Sequence, residues 1–532
     1  MIMKFILENK FCGQLKPIFA NKYFQAFLFG SLVSFAFAPF YLFFLPLISF
    51  PVLFYLLEKE QKNKSIFYLG FSFGFGHFLF LIYWIAIALL VDAKQFSWLI
   101  PFALTLIPAT LAIYFGLFAL LYKKLVAVFA FKDNFQKILT FALCFFVVEF
   151  LRSNLLSGFP WMLLGYVWMF NLKFAQIGSI FGIFGLSVFA VLVALFPVIF
   201  YKTKPTISDK IFAFKIIISL VFAFIYGHFH IDDKNLITDK NVKIRLVQAN
   251  VAQDLKWQGE ERFRNFIKHI ALTNSQNPQD LKAVIWSESS IPYVLNKSMQ
   301  LMNYIAPAIP EGGVVITGGL RIDENKEERD VYNSVYVLNK EGINSFYDKH
   351  HLVPFGEYVP LHQFLSFLFL DKVVDSITGG GKGFSEGKSA QTLILNDFSF
   401  SPLICYEAIF SDEVINKNHI PDVFVNVTND AWFGNSSAPF QHFDMARMRA
   451  IEYGIPLIRV ANNGITAFVD SFGRVVESLP RNKMAILDVE LIKNNNSTIY
   501  RDYGNLPFSF LILLIISTLI LPRKNAKTNF TN

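Results

Sequence analysis

Long apolar runs fill the first 228 residues of the chain and return once near its end. Eight runs are candidate membrane-spanning helices, although several are shorter than the roughly 20 residues that a span usually needs. We place them at Tyr23 to Ala38, Tyr41 to Leu57, Ile66 to Val91, Trp98 to Tyr122, Ile138 to Leu151, Ile180 to Phe200, Ile211 to Tyr226 and Phe508 to Leu521. The pattern predicts a multi-pass α-helical membrane domain over residues 1–228, with about seven transmembrane helices. A C-terminal transmembrane helix and a short tail are expected over residues 506–532.

The pattern changes over residues 229–505, where short apolar runs alternate with polar and amphipathic stretches. Runs of this length that are rich in β-branched residues predict strands, and the amphipathic stretches Glu261 to Asn274 and Phe443 to Tyr453 predict helices. Alternation of this kind is typical of a layered α/β domain with a buried sheet. The predicted strands are Val242 to Gln248, Ala283 to Trp286, Val314 to Thr317, Asn333 to Leu338, Gln391 to Leu395, Ser401 to Ile404, Val423 to Val427, Leu457 to Val460 and Thr466 to Val469.

Two further stretches allow two interpretations each. Pro360 to Val374 is very apolar but too short to span a bilayer, so it is either a core helix or a loop that dips into the outer leaflet. The loop from Ser153 to Gly178 is rich in aromatic residues. It either anchors the chain at the lipid headgroups or contacts the substrate.

Basic residues are concentrated in alternate loops between the predicted spans, and the other short loops carry only Lys94, Arg152 and Lys173. Because Lys and Arg accumulate in cytoplasmic loops, this places both termini in the cytoplasm and residues 229–505 outside. The net charge of +8 comes largely from these loops and gives no case for a nucleic-acid partner. The basic loops follow spans two, four, six and eight and precede span one; they carry Lys4, Lys10, Lys16, Lys22, Lys59, Lys62, Lys64, Lys123, Lys124, Lys132, Lys137, Lys202, Lys204, Lys210, Arg523, Lys524 and Lys527.

Composition supports this assignment, since 54% of the 532 residues are hydrophobic and 17% are charged, which is too apolar for an ordinary soluble protein. Three cysteines occur, without a CxxC pair or a Cys/His pattern at zinc spacing, so we predict no metal and no cofactor. Cys12 falls in the predicted cytoplasmic tail and Cys144 inside a span. Cys405 is therefore the one thiol expected in the oxidising compartment, without a disulfide partner, and catalysis would explain its presence there.

Cys405 stands at the junction of the predicted strand Ser401 to Ile404 and a following segment with helical character. A thiol at such a junction lies near free backbone N–H groups and the positive end of a helix dipole, which favour the thiolate. A free cysteine is more often a small buried hydrophobic residue, so this position alone does not establish a nucleophile.

Charged residues with complementary chemistry lie near the ends of other strands. Glu288 follows the strand Ala283 to Trp286, and Lys349 and Glu357 lie in the motif Lys-His-His-Leu-Val-Pro-Phe-Gly-Glu. Glu407 follows Cys405 by two residues. Each alone is more often a solvated charge, but together they supply a base for a thiol, a cation for a thiolate or an oxyanion, and a nucleophile.

The order Glu-Lys-Cys, with Lys349 to Pro360 and Ile-Cys-Tyr-Glu around its last two members, resembles the carbon-nitrogen hydrolase (nitrilase) superfamily. With membrane spans on both sides, the chain resembles the apolipoprotein N-acyltransferase family within it. The resemblance covers nearly the whole chain and implies a nitrilase-like αββα sandwich for residues 229–505. Further matching stretches are Gln248 to Trp257, Asn429 to Gly434, and Gln441 to Ala450.

The resemblance also implies a mechanism. Glu288 would be the general base, Lys349 would stabilise the thiolate and tetrahedral intermediate, and Cys405 would attack a membrane phospholipid to form a thioester. The N-terminal amine of a diacylglyceryl-cysteine apolipoprotein would then take the acyl chain, in ping-pong kinetics at the bacterial inner membrane, as the last step of lipoprotein maturation. Further matching residues are the functional acids Glu357 and Glu407 and the pocket aromatics Trp257, Tyr406 and Trp432.

Two other functions fit parts of the sequence. A membrane-anchored amidase or nitrilase would use the same triad with water as acceptor, but an anchor needs one span and this chain has about eight. A membrane scaffold or transporter with an inactive domain would carry ionisable groups inside its spans, and Glu149 and Lys215 are the main candidates. An inactive domain would also tolerate damage to the triad, and all three residues are present.

Overall fold

The computed structural model describes residues 20–201, 206–254, 256, 258–277, 280–324, 330–360, 383–494 and 497–520. The sequence predictions for Trp257 and Cys12, and for all but the first residue of the apolar segment Pro360 to Val374, lie outside these ranges.

Residues 20–230 form a helical bundle, and each predicted span in it overlaps a helix. Four stretches among the described residues are long and apolar enough to cross a membrane: Ala93–Val128, Asn134–Asn154, Gly178–Phe200 and Ile207–His230. The multi-pass helical membrane domain is therefore confirmed, and the total of eight spans stays a prediction. The helices are α1 Lys22–Val33, α2 Pro46–Lys59, α3 Asn63–Leu81, α4 Trp84–Ala88, α5 Ala93–Phe96, α6 Ile100–Val128, α7 Asn134–Asn154, α8 Leu172–Ala175, α9 Gly178–Ala194 and α10 Ile207–His230.

Glycines allow the backbones of α1 and α3 to touch. A Cβ atom added to Gly30 would lie 1.9 Å from the carbonyl oxygen of Phe73, and one added to Gly76 would lie 2.2 Å from that of Phe27. Apolar side chains gain little by leaving lipid, so helices in a membrane associate through close packing of this kind.

Residues 236–494 form two β-sheets. The first has the order β13-β1-β2-β4-β5-β6 with β3 beside β4, and the second has the order β12-β11-β10-β9-β8-β7. β2 pairs in parallel with β1 and β4, and β9 pairs in parallel with β8 and β10. The strands are β1 Leu236–Gln248, β2 Ala283–Trp286, β3 Ile291–Val294, β4 Val314–Asp323, β5 Asp330–Asn339, β6 Gly342–Asp348, β7 Leu393–Ile394, β8 Ser399–Ile404, β9 Val423–Thr428, β10 Leu457–Ala461, β11 Thr466–Val469, β12 Val475–Leu479 and β13 Ala485–Asn494.

The two sheets pack face to face, with a helix layer on each outer face. Ile285 of the first sheet and Val425 of the second share one fully buried core. Helices α11 Gly259–Asn274 and α12 Met302–Ile305 cover the first sheet, and α13 Ala438–Tyr453 covers the second. This αββα sandwich is the predicted fold class. The last described elements are α14 Ile499–Tyr503 and the apolar α15 Leu506–Ile520.

Helix α13 joins the sandwich to the membrane helices through buried polar contacts. Tyr41 donates to Asp444 Oδ2 at 2.6 Å, and Trp161 Nε1 donates to Gln441 Oε1 at 2.9 Å. Trp161 is 1% exposed and its neighbours in the aromatic stretch are also largely buried. Of the two interpretations of this stretch, anchoring at the lipid headgroups does not fit its buried rings, of which Trp161 and Tyr166 contact α13. Contact with the substrate stays a prediction.

Candidate active site

Three strand ends place the predicted triad side by side. Glu288 follows β2 by two residues, Lys349 follows β6 directly, and Cys405 follows β8 directly. Asn333 Nδ2 donates to Glu288 and to Glu357, and Glu357 pairs with Lys349. The charges of Glu288 and Lys349 both act on Cys405, so the three side chains share one site. Because β6 belongs to one sheet and β8 to the other, the site depends on how the two sheets pack.

Glu288 is buried, and its carboxylate accepts a hydrogen bond from Asn333 Nδ2 at 2.9 Å. Burial raises the pKa of Glu288, with the charge of Glu357 adding to the rise, while Lys349 and the amide of Asn333 oppose it. A carboxylate with a raised pKa holds a proton more readily than a solvated one, which suits a general base that must later return the proton.

Lys349 is 1% exposed and forms an ion pair with Glu357. Burial lowers the pKa of Lys349, but the charges of Glu357 and Glu288 outweigh the burial and hold the pKa above its ordinary value. Glu357 Oε2 also accepts from the backbone N–H of Val353 at 2.8 Å. The ammonium therefore stays charged and fixed in position, as an oxyanion partner must be.

Cys405 lies on a strained turn, with a φ of +51°. The residues after it form a 3₁₀ turn, Cys405–Ile409, where the sequence suggested a segment with helical character. Burial raises the pKa of the thiol to about 12, with the charge of Glu288 adding to the rise, and Lys349 and Thr428 only partly offset it. The expectation of a favoured thiolate is therefore wrong, because so short a turn supplies little dipole and burial dominates. The thiol needs a base.

A buried chain of polar groups holds the backbone of Cys405. His442 Nε2 lies 3.0 Å from the Cys405 carbonyl oxygen, and His442 Nδ1 lies 3.1 Å from Arg459 Nη2. Burial lowers the pKa of His442, and the charge of Arg459 lowers it further. The neutral ring can accept from Arg459 through Nδ1 and donate through Nε2 to Cys405. Asp430 completes the chain by pairing with Arg459 at 2.9 Å.

Glu407 connects Cys405 to the lysine segment. Its Oε2 accepts from the backbone N–H of Ile404 at 2.6 Å, and its Oε1 accepts from Tyr347 Oη at 2.7 Å and from the backbone N–H of His350 at 2.8 Å. Both oxygens are thus occupied by protein donors. These contacts hold the strand ends of β6 and β8 together.

The loop between α7 and α9 contacts the site from the membrane side. Arg152 Nη1 donates to the carbonyl oxygens of Phe159 and Trp161 at 2.6 Å and 3.0 Å. His351 Nε2 lies 2.9 Å from the carbonyl oxygen of Ser157. The residues next to Lys349 are therefore attached to the membrane helices.

The predicted pocket aromatics differ in position. Tyr406 is buried, donates to the Gly158 carbonyl oxygen at 3.3 Å and packs against Phe410, so it contacts the membrane-side loop. Trp432 lies in the 3₁₀ turn Asp430–Phe433 and is 44% exposed. Trp257 is outside the described residues.

Sequence reasoning missed the partners of the triad. Asn333 bridges Glu288 and Glu357, donating to Glu357 Oε1 at 3.0 Å, although the sequence presents it only as the first residue of a predicted strand. His442 and Asp430 lie in stretches that carry the family resemblance, and that resemblance was the available signal for both. Lys256 lies in the stretch Gln248 to Trp257, and the sequence indicates no role for it.

Comparison with known proteins covers both parts of the chain. The family model described as apolipoprotein N-acyltransferase N-terminal domain matches residues 29–196, and the one described as carbon-nitrogen hydrolase matches residues 243–495. Curated relatives include the apolipoprotein N-acyltransferases of Rickettsia prowazekii (38% identical, over 92% of this chain and 96% of the relative) and Brucella melitensis biotype 1 (37%, over 87% and 88%). That of Rhodopseudomonas palustris is 35% identical over 94% of this chain and 95% of the relative.

Solved structures align with about half of the chain. A CN-hydrolase superfamily protein from Xanthomonas campestris is 16% identical, with a TM-score of 0.34, over 48% of this chain and 91% of that chain. A variant of the amidase from Nesterenkonia sp. AN1 is 13% identical, with a TM-score of 0.35, over 51% and 99%.

Proposed function

This chain belongs to the apolipoprotein N-acyltransferase family and is an acyltransferase of lipoproteins, and we propose that its donor is a membrane phospholipid and its intermediate a thioester on Cys405. The acceptor in this proposal is the N-terminal amine of diacylglyceryl-cysteine in an apolipoprotein. The two substrates use the same site in turn, which gives ping-pong kinetics.

In the first half-reaction, Glu288 takes the proton from Cys405 Sγ and the thiolate attacks the ester carbonyl carbon of the phospholipid. The ammonium of Lys349 stabilises the oxyanion that forms. The C–O bond then breaks, Glu288 gives its proton to the departing oxygen, and a lysophospholipid leaves. The acyl chain remains on Cys405.

In the second half-reaction, the uncharged amine of the lipoprotein attacks the thioester carbon. Glu288 takes a proton from the attacking nitrogen while Lys349 again faces the oxyanion. The C–S bond breaks, the amide is released, and the proton held by Glu288 returns to the thiolate of Cys405. The enzyme thus regains its starting state, with Cys405 protonated and Glu288 ionised.

The observation that carries this proposal is the pairing of a thiol of raised pKa with a buried carboxylate and a fixed ammonium. A thiol that is protonated at rest needs a neighbouring base. Of the two carboxylates among the described residues whose charges act on Cys405, Glu288 acts more strongly, and the other, Asp430, is paired with Arg459. The attachment of the Lys349 segment to the membrane-side loop at Ser157 supports access by a lipid donor.

We further propose that residues 1–228 and 506–532 lie in the bacterial inner membrane, with both termini cytoplasmic and residues 229–505 in the periplasm. The distribution of basic residues among the loops supports this orientation. It places the thioester on the side where exported lipoproteins arrive.

Intact mass spectrometry after mixing the protein with phospholipid vesicles tests the proposal. We expect an added fatty-acyl mass on the wild type and on the matched control Cys144→Ala, but none on Cys405→Ala. Adding a diacylglyceryl-cysteine peptide should remove the mass from the enzyme and add it to the peptide. Loss of the mass to water alone would instead indicate a membrane-anchored hydrolase, and an unmodified Cys405 would refute the assignment.

A further inference from the structure

A second lysine is buried beside the triad and takes no part in the mechanism above. Lys256 is 5% exposed, and its Nζ donates to the backbone carbonyl oxygen of Glu288 at 3.1 Å. Its charge interacts with the side chains of both Glu288 and Cys405. Lys256 therefore lies close to the two groups that exchange the proton.

The surroundings of Lys256 leave its charge without a direct counter-ion. Among the described residues, no carboxylate lies within ion-pair distance of its Nζ. It lines a small cavity together with His269, Ser287, Ser290 and Asn462. A buried ammonium without a carboxylate partner is costly, so a purely structural position would favour its replacement by an apolar residue.

The charges of the site give this lysine a use. Glu288 and Glu357 are two carboxylates, and in the part of the chain that the structure describes Lys349 is the one cation that contacts Glu357 directly. One negative charge is thus in excess. It resides on Glu288 before proton transfer and on Cys405 Sγ afterwards, and Lys256 interacts with both positions.

We propose that Lys256 is a positioning residue whose ammonium balances the charge of the Glu288–Cys405 pair in both of its proton states and fixes the Glu288 backbone. This inference rests on the proposed function only in taking Glu288 as the base and Cys405 as the nucleophile. It assigns the active site a second cation, which acts on the thiolate through space and contacts no substrate.

The titratable groups that face Lys256 are Glu288, Cys405 and, on α11, His269, with Lys268 nearby on the same helix. Burial lowers the pKa of Lys256 to about 8, and the charges of Glu288 and Cys405 oppose the fall. Lys256 is consequently charged below about pH 8 and loses its charge above it. Substitutions that remove the charge of Lys256 should therefore have their largest effect below about pH 8.

The test measures the rate at which iodoacetamide alkylates Cys405 between pH 6 and 10, read on the Cys405 peptide by mass spectrometry. Lys256→Gln retains a donor for the Glu288 carbonyl but no charge, and Lys256→Met retains neither. We expect both to react about tenfold more slowly than the wild type below pH 8, with a deficit that shrinks above pH 8. Lys256→Arg, which keeps the charge, should react within about threefold of the wild type.

Lys268→Met is the matched control, because Lys268 also donates to a backbone carbonyl, that of Asn250, from the same region. It should react within about twofold of the wild type. A wild-type rate in Lys256→Gln, or an equal loss at every pH in all three Lys256 variants including Arg, would overturn the proposal. Alkylation needs neither phospholipid nor lipoprotein, so failure of acyl transfer with normal alkylation would refute only the proposed function. If Lys256→Met does not fold, Lys256→Gln carries the test.

Discussion

Lys349 Nζ lies within hydrogen-bond distance of both carboxylate oxygens of Glu357, 2.9 Å from Oε1 and 2.8 Å from Oε2. This contact fixes the ammonium and holds its pKa high. We expect Glu357→Gln to keep the shape and lose the charge, which lowers the rate of acyl-enzyme formation about 10- to 100-fold. A single-turnover experiment with phospholipid vesicles measures this rate.

The matched control for this change is Glu341→Gln, at an exposed acid in the turn between β5 and β6. It should acylate at the wild-type rate. Equal rates of acyl-enzyme formation in Glu357→Gln and Glu341→Gln would mean that the role of Lys349 does not depend on its contact with Glu357.

Asn333 separates the two carboxylates of the site by donating to each of them. Asn333→Leu removes both hydrogen bonds at similar volume. Since the amide helps to lower the pKa of Glu288, its removal should raise that pKa and move the acidic limb of the acylation rate toward higher pH. The free energy of unfolding should fall by about 1–3 kcal/mol, because buried acceptors lose their donor. An unmoved acidic limb would contradict this account.

Local patterns predicted the central strands well. β2 and β11 begin and end where the sequence places them, because each is a short, fully buried run that a polar residue follows, Ser287 and Asp470 respectively. β12 was missed because Val475 and most of its other residues are exposed, so no buried face marks it. β13 was missed because Asp488 and Glu490 interrupt its apolar residues. Its pairing with β1, some 240 residues away in the chain, is a tertiary contact that no local pattern encodes.

The site was predictable as far as residue type and strand ends allowed. The sequence presents Glu288 and Cys405 as candidates because each follows an apolar strand. The protonation state of the Cys405 thiol was not predictable, since it depends on burial between two sheets. The bridging amide of Asn333 could not be identified either, because its partner Glu357 lies 24 residues further along the chain.

His442 supports the turn at Cys405 by donating to its carbonyl oxygen. His442→Phe keeps an aromatic ring and removes the donor. Because the positive φ of Cys405 costs about 1–3 kcal/mol and needs support from its surroundings, we expect the turn to loosen and acylation to slow at least tenfold. Binding of a fluorescent phospholipid should be retained, which separates loss of geometry from loss of substrate. His419→Phe, at an exposed position, is the control and should leave both measurements unchanged.

Gly30 sets the distance between α1 and α3. Gly30→Leu places a side chain where the Phe73 carbonyl lies, so the helices must separate or α1 must rotate. We expect the melting temperature in detergent to fall by several degrees, which corresponds to a loss of roughly 1–3 kcal/mol. Ile217→Leu, on the exposed face of α10, should melt with the wild type. Equal melting of all three proteins would show that α1 and α3 tolerate a wider spacing.

His350 stabilises the folded domain at neutral pH, and this contribution is lost at alkaline pH. Burial lowers its pKa, but hydrogen bonds to Glu407 and Glu413 outweigh the burial and raise the pKa to about 9. A group whose pKa is higher in the folded state stabilises that state fully below its unfolded value of about 6.5, and this contribution disappears as the pH rises through 9. We therefore expect the melting temperature to fall between pH 6.5 and 9, by an amount equivalent to on the order of 1–3 kcal/mol. His350→Gln should start lower and show a flatter profile over this window, whereas His419→Gln should follow the wild type. If His350→Gln retains the full fall in melting temperature between pH 6.5 and 9, another titratable group causes that fall.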